Sequence, residues 1–451
     1  MTLQPLISPP APPDARTHLS NLDRLLHPHP ELQPSQPNPR LRLLPSLRLP
    51  PLQISQPNAD ENGSTRSLSH LRHLLSDSST NPSPRTNIAP RWRDLHGSSD
   101  WSCLVDPLDT DLRRELLRYG DFIHSAYHAF FHSTTPHLPD RSYRITRHLF
   151  ATSSIKLPSW VSPSTTSIGF IAVCHNDREI RRMGRRDIVI ALRGTSTILE
   201  WAENLRFNLV PLDAGQAKVE CGFRSLYTTP GENMPSLSSV IIEEISRLVE
   251  LYKNEELSIT VTGHSLGAAL AILAADELGS CAQKTSMPPT AVFSFGGPRV
   301  GNRAFAERVE KKGIKVLRVV NAHDLVTKVP TSIGDGWRWW DGYEHVGKEL
   351  RVDSKVSPFL KPDANAACCH DLEAYLHLVD GLGGGVGCHF RPNAKRSLVR
   401  LMSQQRGNVK RVYVSEARAL GLDRETVVSI PFRASSLRLF IQTETDVELF
   451  N

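Results

Sequence analysis

A serine flanked by glycines joins an apolar run to an alanine-rich run in V-T-G-H-S-L-G-A-A-L, residues 261–270. A G-x-S-x-G motif between a strand and a helix holds the serine in a strained turn, so that its hydroxyl projects from the carboxyl edge of the sheet. Side chains at Gly263 and Gly267 would collide there. The first helical amides, that of Leu266 foremost, favour negative charge above the serine. We predict Ser265 as a nucleophile and the Leu266 amide as an oxyanion donor; a tight turn with a passive serine is the alternative.

A serine nucleophile needs a base to take its proton, and the base needs a carboxylate to orient it. Chains with this type of turn carry them in the order serine, acid, histidine. The apolar run 314–320 predicts a strand, and Asp324 follows it in N-A-H-D. Catalytic loops collect at the carboxyl ends of parallel strands. We predict Asp324 as the acid, with a turn-capping role as the alternative, and we interpret the adjacent His323 as a packing or turn residue.

The candidate bases are the histidines that follow Asp324 in the chain. His370 opens H-D-L-E-A-Y-L-H, which predicts the start of a helix, and a base at a loop-to-helix junction can reach over the sheet edge. His377 lies seven residues later on the same helical face, two turns deeper. Spacing alone does not separate these two, and we favour His370. The full set of candidates is His345, His370, His377 and His389.

The second oxyanion donor is expected in the loop after an early strand. The apolar run 187–192 ends in R-G-T-S-T, and we predict the amide of Thr195 as this donor. The segment 198–207 has apolar residues at helical spacing, which predicts an amphipathic lid that could open at a lipid surface. An ordinary packed helix is the alternative. The predicted lid residues are Ile198, Trp201 and Leu205.

Apolar runs of strand length alternate with helical patterns along the chain. Continuous apolar strands are typical of a mostly parallel sheet covered on both faces, so the expected fold class is α/β. The predicted strands are 167–174, 187–192, 257–262, 290–295 and 314–320, and the predicted helices are 108–131, 235–253, 266–278 and 302–312.

Residues 1–90 differ in composition from the rest of the chain. They hold 17 of the 33 prolines and none of the 30 aromatic residues. Such a segment cannot bury enough apolar surface to offset its chain entropy, so we expect it to be disordered. Eight arginines, no lysine and few acids fit an organelle transit peptide. A tail without an address is the alternative, and we expect the folded domain to span 91–390.

Several other classes of function are disfavoured. The net charge is +6, and no basic stripe with interleaved aromatics predicts a nucleic-acid partner. No apolar run reaches the roughly 18 residues of a membrane-spanning helix. The seven cysteines show no disulfide framework, which fits a reducing compartment. The cluster Cys368-Cys369-His370 lacks a second ligand pair at zinc spacing, so we expect no metal and no other cofactor.

Five motifs in order resemble the class 3 lipases, and more narrowly the plant class I phospholipases A1 of the chloroplast. They are R-G-T-S-T-I-L-E-W-A-E-N-L, V-T-G-H-S-L-G-A-A-L, F-S-F-G-G-P-R-V-G-N, V-V-N-A-H-D-L-V-T-K-V-P and H-D-L-E-A-Y-L-H-L-V-D-G. The stretch W-R-D-L-H-G, residues 92–97, is similar to the start of that family. The resemblance covers roughly 91–385. The tail, 391–451, does not resemble the usual family ending and is taken as divergent.

The resemblance implies an α/β-hydrolase fold with a Ser265, Asp324 and His370 triad and with Thr195 and Leu266 as oxyanion donors. It implies hydrolysis of the first-position ester of phosphatidylcholine, galactolipids or triacylglycerol, without a metal and with peripheral membrane contact. It also favours a chloroplast address. Two alternatives are a soluble carboxylesterase or thioesterase on the same fold, and a lipase-like binding or signalling module without catalysis.

Overall fold

A computed structural model of the chain describes residues 86–132, 136–152, 165–195, 208–281, 287–330, 342–382, 399–411 and 413–415. All three predicted lid residues, nearly all of the predicted transit segment and His389 lie outside the described residues. Within the described ranges, none of the helices combines the length and the apolar character that a bilayer crossing requires.

The strands of the described part form one large sheet and one small sheet. They are β1 (Tyr143–Thr152), β2 (Thr165–Cys174), β3 (Arg186–Leu192), β4 (Leu209–Pro211), β5 (Lys218–Glu220), β6 (Leu257–His264), β7 (Thr290–Phe295), β8 (Gly301–Asn302), β9 (Lys315–Asn321), β10 (Tyr343–Glu344) and β11 (Lys348–Val352).

The large sheet has the strand order β1-β2-β3-β6-β7-β9-β11. Its strands from β3 to β11 are parallel, whereas β1 and β2 pair antiparallel to each other and β2 pairs antiparallel to β3. The small sheet has the order β10-β8-β5-β4 and is antiparallel. The mostly parallel α/β sheet expected from the sequence is therefore confirmed, with an antiparallel edge that the sequence did not predict.

Helices cover both faces of the large sheet. They are α1 (Trp92–Leu95), α2 (Thr110–His132), α3 (Asp177–Met183), α4 (Cys221–Thr228), α5 (Leu237–Leu251), α6 (Leu266–Cys281), α7 (Arg303–Lys311), α8 (Ala366–His370), α9 (Leu372–Gly381) and α10 (Val399–Gln405). Apolar side chains of α2 and α9 form one buried cluster with the sheet, and those of α5, α6 and α7 form another.

The predicted strands and helices agree with the structure to within three residues at either end. The sequence analysis missed the edge strands β1 and β11 and the short strands of the small sheet, β4, β5, β8 and β10. In β1 and β11, exposed and half-buried positions interrupt the buried ones, because an edge strand has a neighbouring strand on one side only and is less covered than a central strand. Their polar residues therefore conceal the strand pattern that marks the buried, central strands.

The described part of the C-terminal tail packs onto the body. Leu401 of α10 and Val409 join Leu360 and Cys368 in a small buried apolar cluster. Arg400 extends from α10 to the Asp121 carboxylate, with Nη1 2.7 Å from Oδ1. The cluster also contains Ala374 of α9, and Cys368 belongs to α8, so the tail contacts the two helices that meet at His370.

Candidate active site

The turn between β6 and α6 holds Ser265 in a left-handed conformation. Its φ is +57°, and its backbone N–H donates to the carbonyl of Phe295 at 3.0 Å. A Cβ at Gly263 would lie 2.3 Å from the carbonyl oxygen of Gly267, and a Cβ at Gly267 would lie 2.4 Å from that of Leu192. Those neighbours are backbone atoms that cannot give way, so both motif glycines are required as the sequence predicts.

Three predicted site residues meet above this turn. Nε2 of His370 lies 2.8 Å from Oγ of Ser265, and Nδ1 of His370 lies 2.8 Å from Oδ2 of Asp324. All three residues are buried: Ser265 is 6% exposed, His370 is 5% exposed and Asp324 is 1% exposed. They are 105 and 46 positions apart in the chain, so only the fold brings them together. A base between a hydroxyl and a buried carboxylate can deprotonate the hydroxyl when it attacks.

The Asp324 carboxylate is held by three donors. Its Oδ1 accepts from the N–H of Val326 at 2.9 Å, and its Oδ2 accepts from the hydroxyl of Tyr375 at 2.6 Å as well as from His370. The Tyr375 oxygen in turn accepts from the N–H of Asn321 at 3.1 Å. Burial and the nearby Asp324 raise the pKa of Tyr375 well above its ordinary value, so its hydroxyl stays a donor. The sequence reading did not single out Tyr375.

His370 does not start a helix, as the sequence predicted, but ends one. Helix α8 finishes at His370, and Asp371 caps α9 by accepting from the N–H of Ala374 at 3.1 Å. The side-chain amide of Asn321 donates to the carbonyl of Cys369 at 2.8 Å, which ties the end of α8 to the end of β9. His370 therefore lies at the junction between two helices, α8 and α9.

The other described histidine candidates lie away from Ser265. Nε2 of His377 is 2.8 Å from Oγ of Ser357, and the ring packs edge-on against Phe359. Burial lowers the pKa of His377 to about 3, and burial together with nearby arginines lowers that of His345 to about 3. Both imidazoles are therefore neutral in the folded chain. The structure separates His370 from His377, which the sequence could not do.

The predicted oxyanion donors flank the serine. Leu266 is the first residue of α6, and the first amides of a helix have no intrahelical acceptor. Thr195 follows β3 next to Gly194, and Gly194 packs so tightly that an added Cβ would lie 2.8 Å from Cβ of Ser265. The donor roles of Thr195 and Leu266 stay predictions. Among the described residues, no three His, Cys, Asp or Glu side chains are grouped to hold a metal ion.

Two further side chains border the site. The hydroxyl of Tyr127, on α2, lies 2.8 Å from Nδ1 of His264, and Nε2 of His264 lies 2.8 Å from the carbonyl oxygen of His370. Burial and the neighbouring His370 lower the pKa of His264 well below its ordinary value. The only sequence signal for His264 was a polar residue within a buried G-x-S-x-G turn, and Tyr127 had none.

The fold and these side chains define a serine hydrolase of the α/β-hydrolase type. Residues 189–333 match the family model "Lipase (class 3)". The chain is 42% identical over 381 residues to Phospholipase A(1) DAD1, chloroplastic, of Arabidopsis thaliana, covering 72% of this chain and 83% of that one. The chain belongs to the class 3 lipase family and is a carboxylic ester hydrolase, as its motifs predicted.

Two more relatives extend the comparison. Galactolipase DONGLE, chloroplastic, of Arabidopsis thaliana is 38% identical, over 64% of this chain and 69% of its own. Phospholipase A1-II 6 of Oryza sativa subsp. japonica is 37% identical, over 69% and 85%. Among solved structures, the lipase from Rhizopus microsporus var. chinensis is similar at 24% identity, over 55% of this chain and 76% of that one, with a TM-score of 0.41.

Proposed function

We propose that this lipid acyl hydrolase is a phospholipase A1, which cleaves the first-position acyl ester of a membrane glycerolipid. The observation that supports this most directly is the buried line of hydrogen bonds from Ser265 through His370 to Asp324 in a chain of the class 3 lipase family. The candidate substrates are phosphatidylcholine, galactolipid and triacylglycerol. Relatives named phospholipase A1 and galactolipase support the first two.

The reaction proceeds through an acyl-enzyme. Oγ of Ser265 attacks the ester carbonyl carbon while Nε2 of His370 takes its proton and Asp324 stabilises the imidazolium. The amides of Thr195 and Leu266 donate to the oxyanion of the tetrahedral intermediate. Collapse of the intermediate breaks the ester bond, and His370 returns the proton to the departing lysolipid oxygen. Water, deprotonated by His370, then hydrolyses the acyl-serine and releases the fatty acid.

Hydrolysis of positionally labelled lipids tests this function. Phosphatidylcholine and monogalactosyldiacylglycerol, each with distinguishable first and second acyl chains, are supplied side by side to the wild type and to Ser265→Ala. We expect first-position release by the wild type and a loss of at least about 10⁴-fold in the variant. Ser280→Ala is the matched control, because Ser280 lies at the far end of the same helix and donates to the carbonyl of Asp276.

Each contrary outcome overturns a different part of the proposal. Earlier release of the second-position chain overturns the A1 specificity. Equal rates for the wild type and Ser265→Ala overturn the role of the serine. Turnover of neither lipid overturns phospholipase and galactolipase activity together and leaves triacylglycerol as the substrate to assay.

Peripheral membrane contact is the second part of the proposal. It rests on the amphipathic pattern of residues 198–207, where Ile198, Trp201 and Leu205 are the predicted lipid-facing residues of a lid. An enzyme with such a lid accelerates when the ester concentration passes the point at which an interface forms. A soluble carboxylesterase or thioesterase shows no such jump, so a rate curve that saturates below that concentration contradicts the lid.

The protein is chloroplastic, in agreement with its relatives named so. We propose that residues 1–90 are the transit peptide and that 91–390 are the hydrolase domain. Fusion of residues 1–90 to a fluorescent reporter tests the address. A cytosolic fluorescence signal would show that residues 1–90 are not a transit peptide and would favour the alternative, a tail without a targeting signal.

A further inference from the structure

A line of hydrogen bonds connects residues 193–195 after β3, which we call the oxyanion loop, to the backbone of His370 without passing through the side chains of the triad. The N–H of Gly194 donates to the hydroxyl oxygen of Tyr127 at 2.9 Å, and that hydroxyl lies 2.8 Å from Nδ1 of His264. Nε2 of His264 lies 2.8 Å from the carbonyl oxygen of His370. The loop after β3 and the junction between α8 and α9 are thus joined through α2 and the serine turn.

The chemistry of the groups fixes the direction of each bond. The His370 carbonyl can only accept, so Nε2 of His264 must carry a proton and donate it. A neutral imidazole then has Nδ1 as an acceptor, which requires the Tyr127 hydroxyl to donate its single proton there. Burial keeps the pKa of His264 low and that of Tyr127 high, so neither group leaves this state near neutral pH.

The loop end of the line is held on both sides of Gly194. The Arg193 guanidinium donates to the Gly194 carbonyl, while Tyr127 accepts from the Gly194 N–H. The carbonyl of Gly194 belongs to the same planar peptide as the N–H of Thr195, so holding the carbonyl also orients that amide. An added Cβ on Gly194 would lie 2.5 Å from the Tyr127 oxygen, which leaves the loop no room to approach further.

We propose that Tyr127 and His264 are positioning residues that fix the position of the oxyanion loop relative to His370 around Ser265. This inference rests on the proposed function and deepens it. Deleting one oxyanion donor typically costs about 10²–10³-fold in kcat, so misplacing a donor that is still present should cost about 10- to 100-fold. The loss should fall on kcat with little change in KM, because the donor binds the transition state and not the ground-state ester.

Tyr127→Phe is the first test, with Tyr227→Phe as its matched control. Tyr227 is buried and donates its hydroxyl to the carboxylate of Glu277 at 2.6 Å, a bond that involves none of the site residues named above. We expect Tyr127→Phe to lower kcat about 10- to 100-fold with KM unchanged within about twofold. Affinity for an alkylboronic acid, which mimics the tetrahedral intermediate, should fall in parallel. Tyr227→Phe should keep both kcat and the affinity for the boronic acid near the wild-type values.

A kcat of Tyr127→Phe within about twofold of wild type overturns the inference, as does a change in KM alone. Should that variant fail to fold, His264→Gln and His264→Ala decide instead. A glutamine Nε2 can replace the donor to the His370 carbonyl, and alanine cannot. We expect Gln to retain at least about tenfold more kcat than Ala, and equal values overturn the inference. Wild-type turnover that Ser265→Ala abolishes shows that the proposed function holds even where this inference fails.

Discussion

The hydroxyl of Tyr375 donates to Oδ2 of Asp324 at 2.6 Å, and the same oxygen lies 2.8 Å from Nδ1 of His370. Tyr375 and His370 lie on either side of the junction between α8 and α9. The helix pair therefore supplies both the imidazole that we propose as the base and a hydrogen bond to the carboxylate beside it. Because the Tyr375 oxygen also accepts from the N–H of Asn321, it links the end of β9 to the helix pair.

Replacing Tyr375 with phenylalanine should reduce stability more than activity. The buried N–H of Asn321 loses its acceptor, which should lower the free energy of unfolding by about 1–3 kcal/mol. Asp324 keeps its bonds to Val326 and His370, so we expect kcat to fall less than about tenfold. Urea unfolding and lipid hydrolysis measure the two effects. A kcat as low as that of Asp324→Ala, or unaltered stability, would contradict this account.

Replacing His370 or His377 with glutamine should have very different effects on kcat. His370→Gln removes the imidazole next to Ser265 that we propose as the base, and it should lower kcat by at least about 10⁴-fold. His377→Gln, whose site is a bond to Ser357, should keep kcat within about threefold. The rate constants of the two purified variants make this comparison directly. If His377→Gln were the inactive variant, the assignment of the base would be wrong.

Buried neutral imidazoles should make the fold sensitive to acid. Burial lowers the pKa of His96 and of His377 from 6.5 to about 3. At each of these histidines the unfolded chain therefore binds a proton that the folded chain does not as the pH falls from about 6.5 to about 3, and their contribution to stability declines through that window. Each histidine that is protonated in the unfolded chain and neutral in the folded chain adds a slope of about 1.4 kcal/mol per pH unit to the free energy of unfolding.

The free energy of unfolding in urea at pH 7.5, 6 and 5 measures this decline. His377→Gln removes one of these buried imidazoles and should flatten the slope below about pH 6 by about 1.4 kcal/mol per unit. A slope identical to that of the wild type would exclude His377 as a source of acid sensitivity.

Leu401 tests whether the divergent tail belongs to the folded body. Its side chain is fully buried with Leu360, Cys368 and Val409 behind α8. Leu401→Ala should lower the free energy of unfolding by about 2–5 kcal/mol, because it leaves a cavity in a packed cluster. Val356→Ala, at an exposed position, is the control and should change it by less than about 0.5 kcal/mol. A variant at Leu401 as stable as the control would show that the tail contributes nothing to the body.

Much of this protein follows from local sequence patterns. The central strands are buried on both faces, so their apolar runs are continuous and easily recognised, and the serine turn needs its glycines within two residues of Ser265. These features depend on neighbours in the chain. The edge strands β1 and β11 were not predicted, because about half of the residues in each are polar and many of them are exposed to solvent.

The choice of partners was decided by the tertiary structure. Periodicity left His370 and His377 on one face of one predicted helix, but a break at Asp371 splits that helix and turns only His370 toward Ser265. Tyr127 reaches His264 from 137 positions away, and Tyr375 reaches Asp324 from 51. A hydrogen bond between distant residues leaves no periodic trace in the sequence, because its geometry exists only after strands and helices have packed.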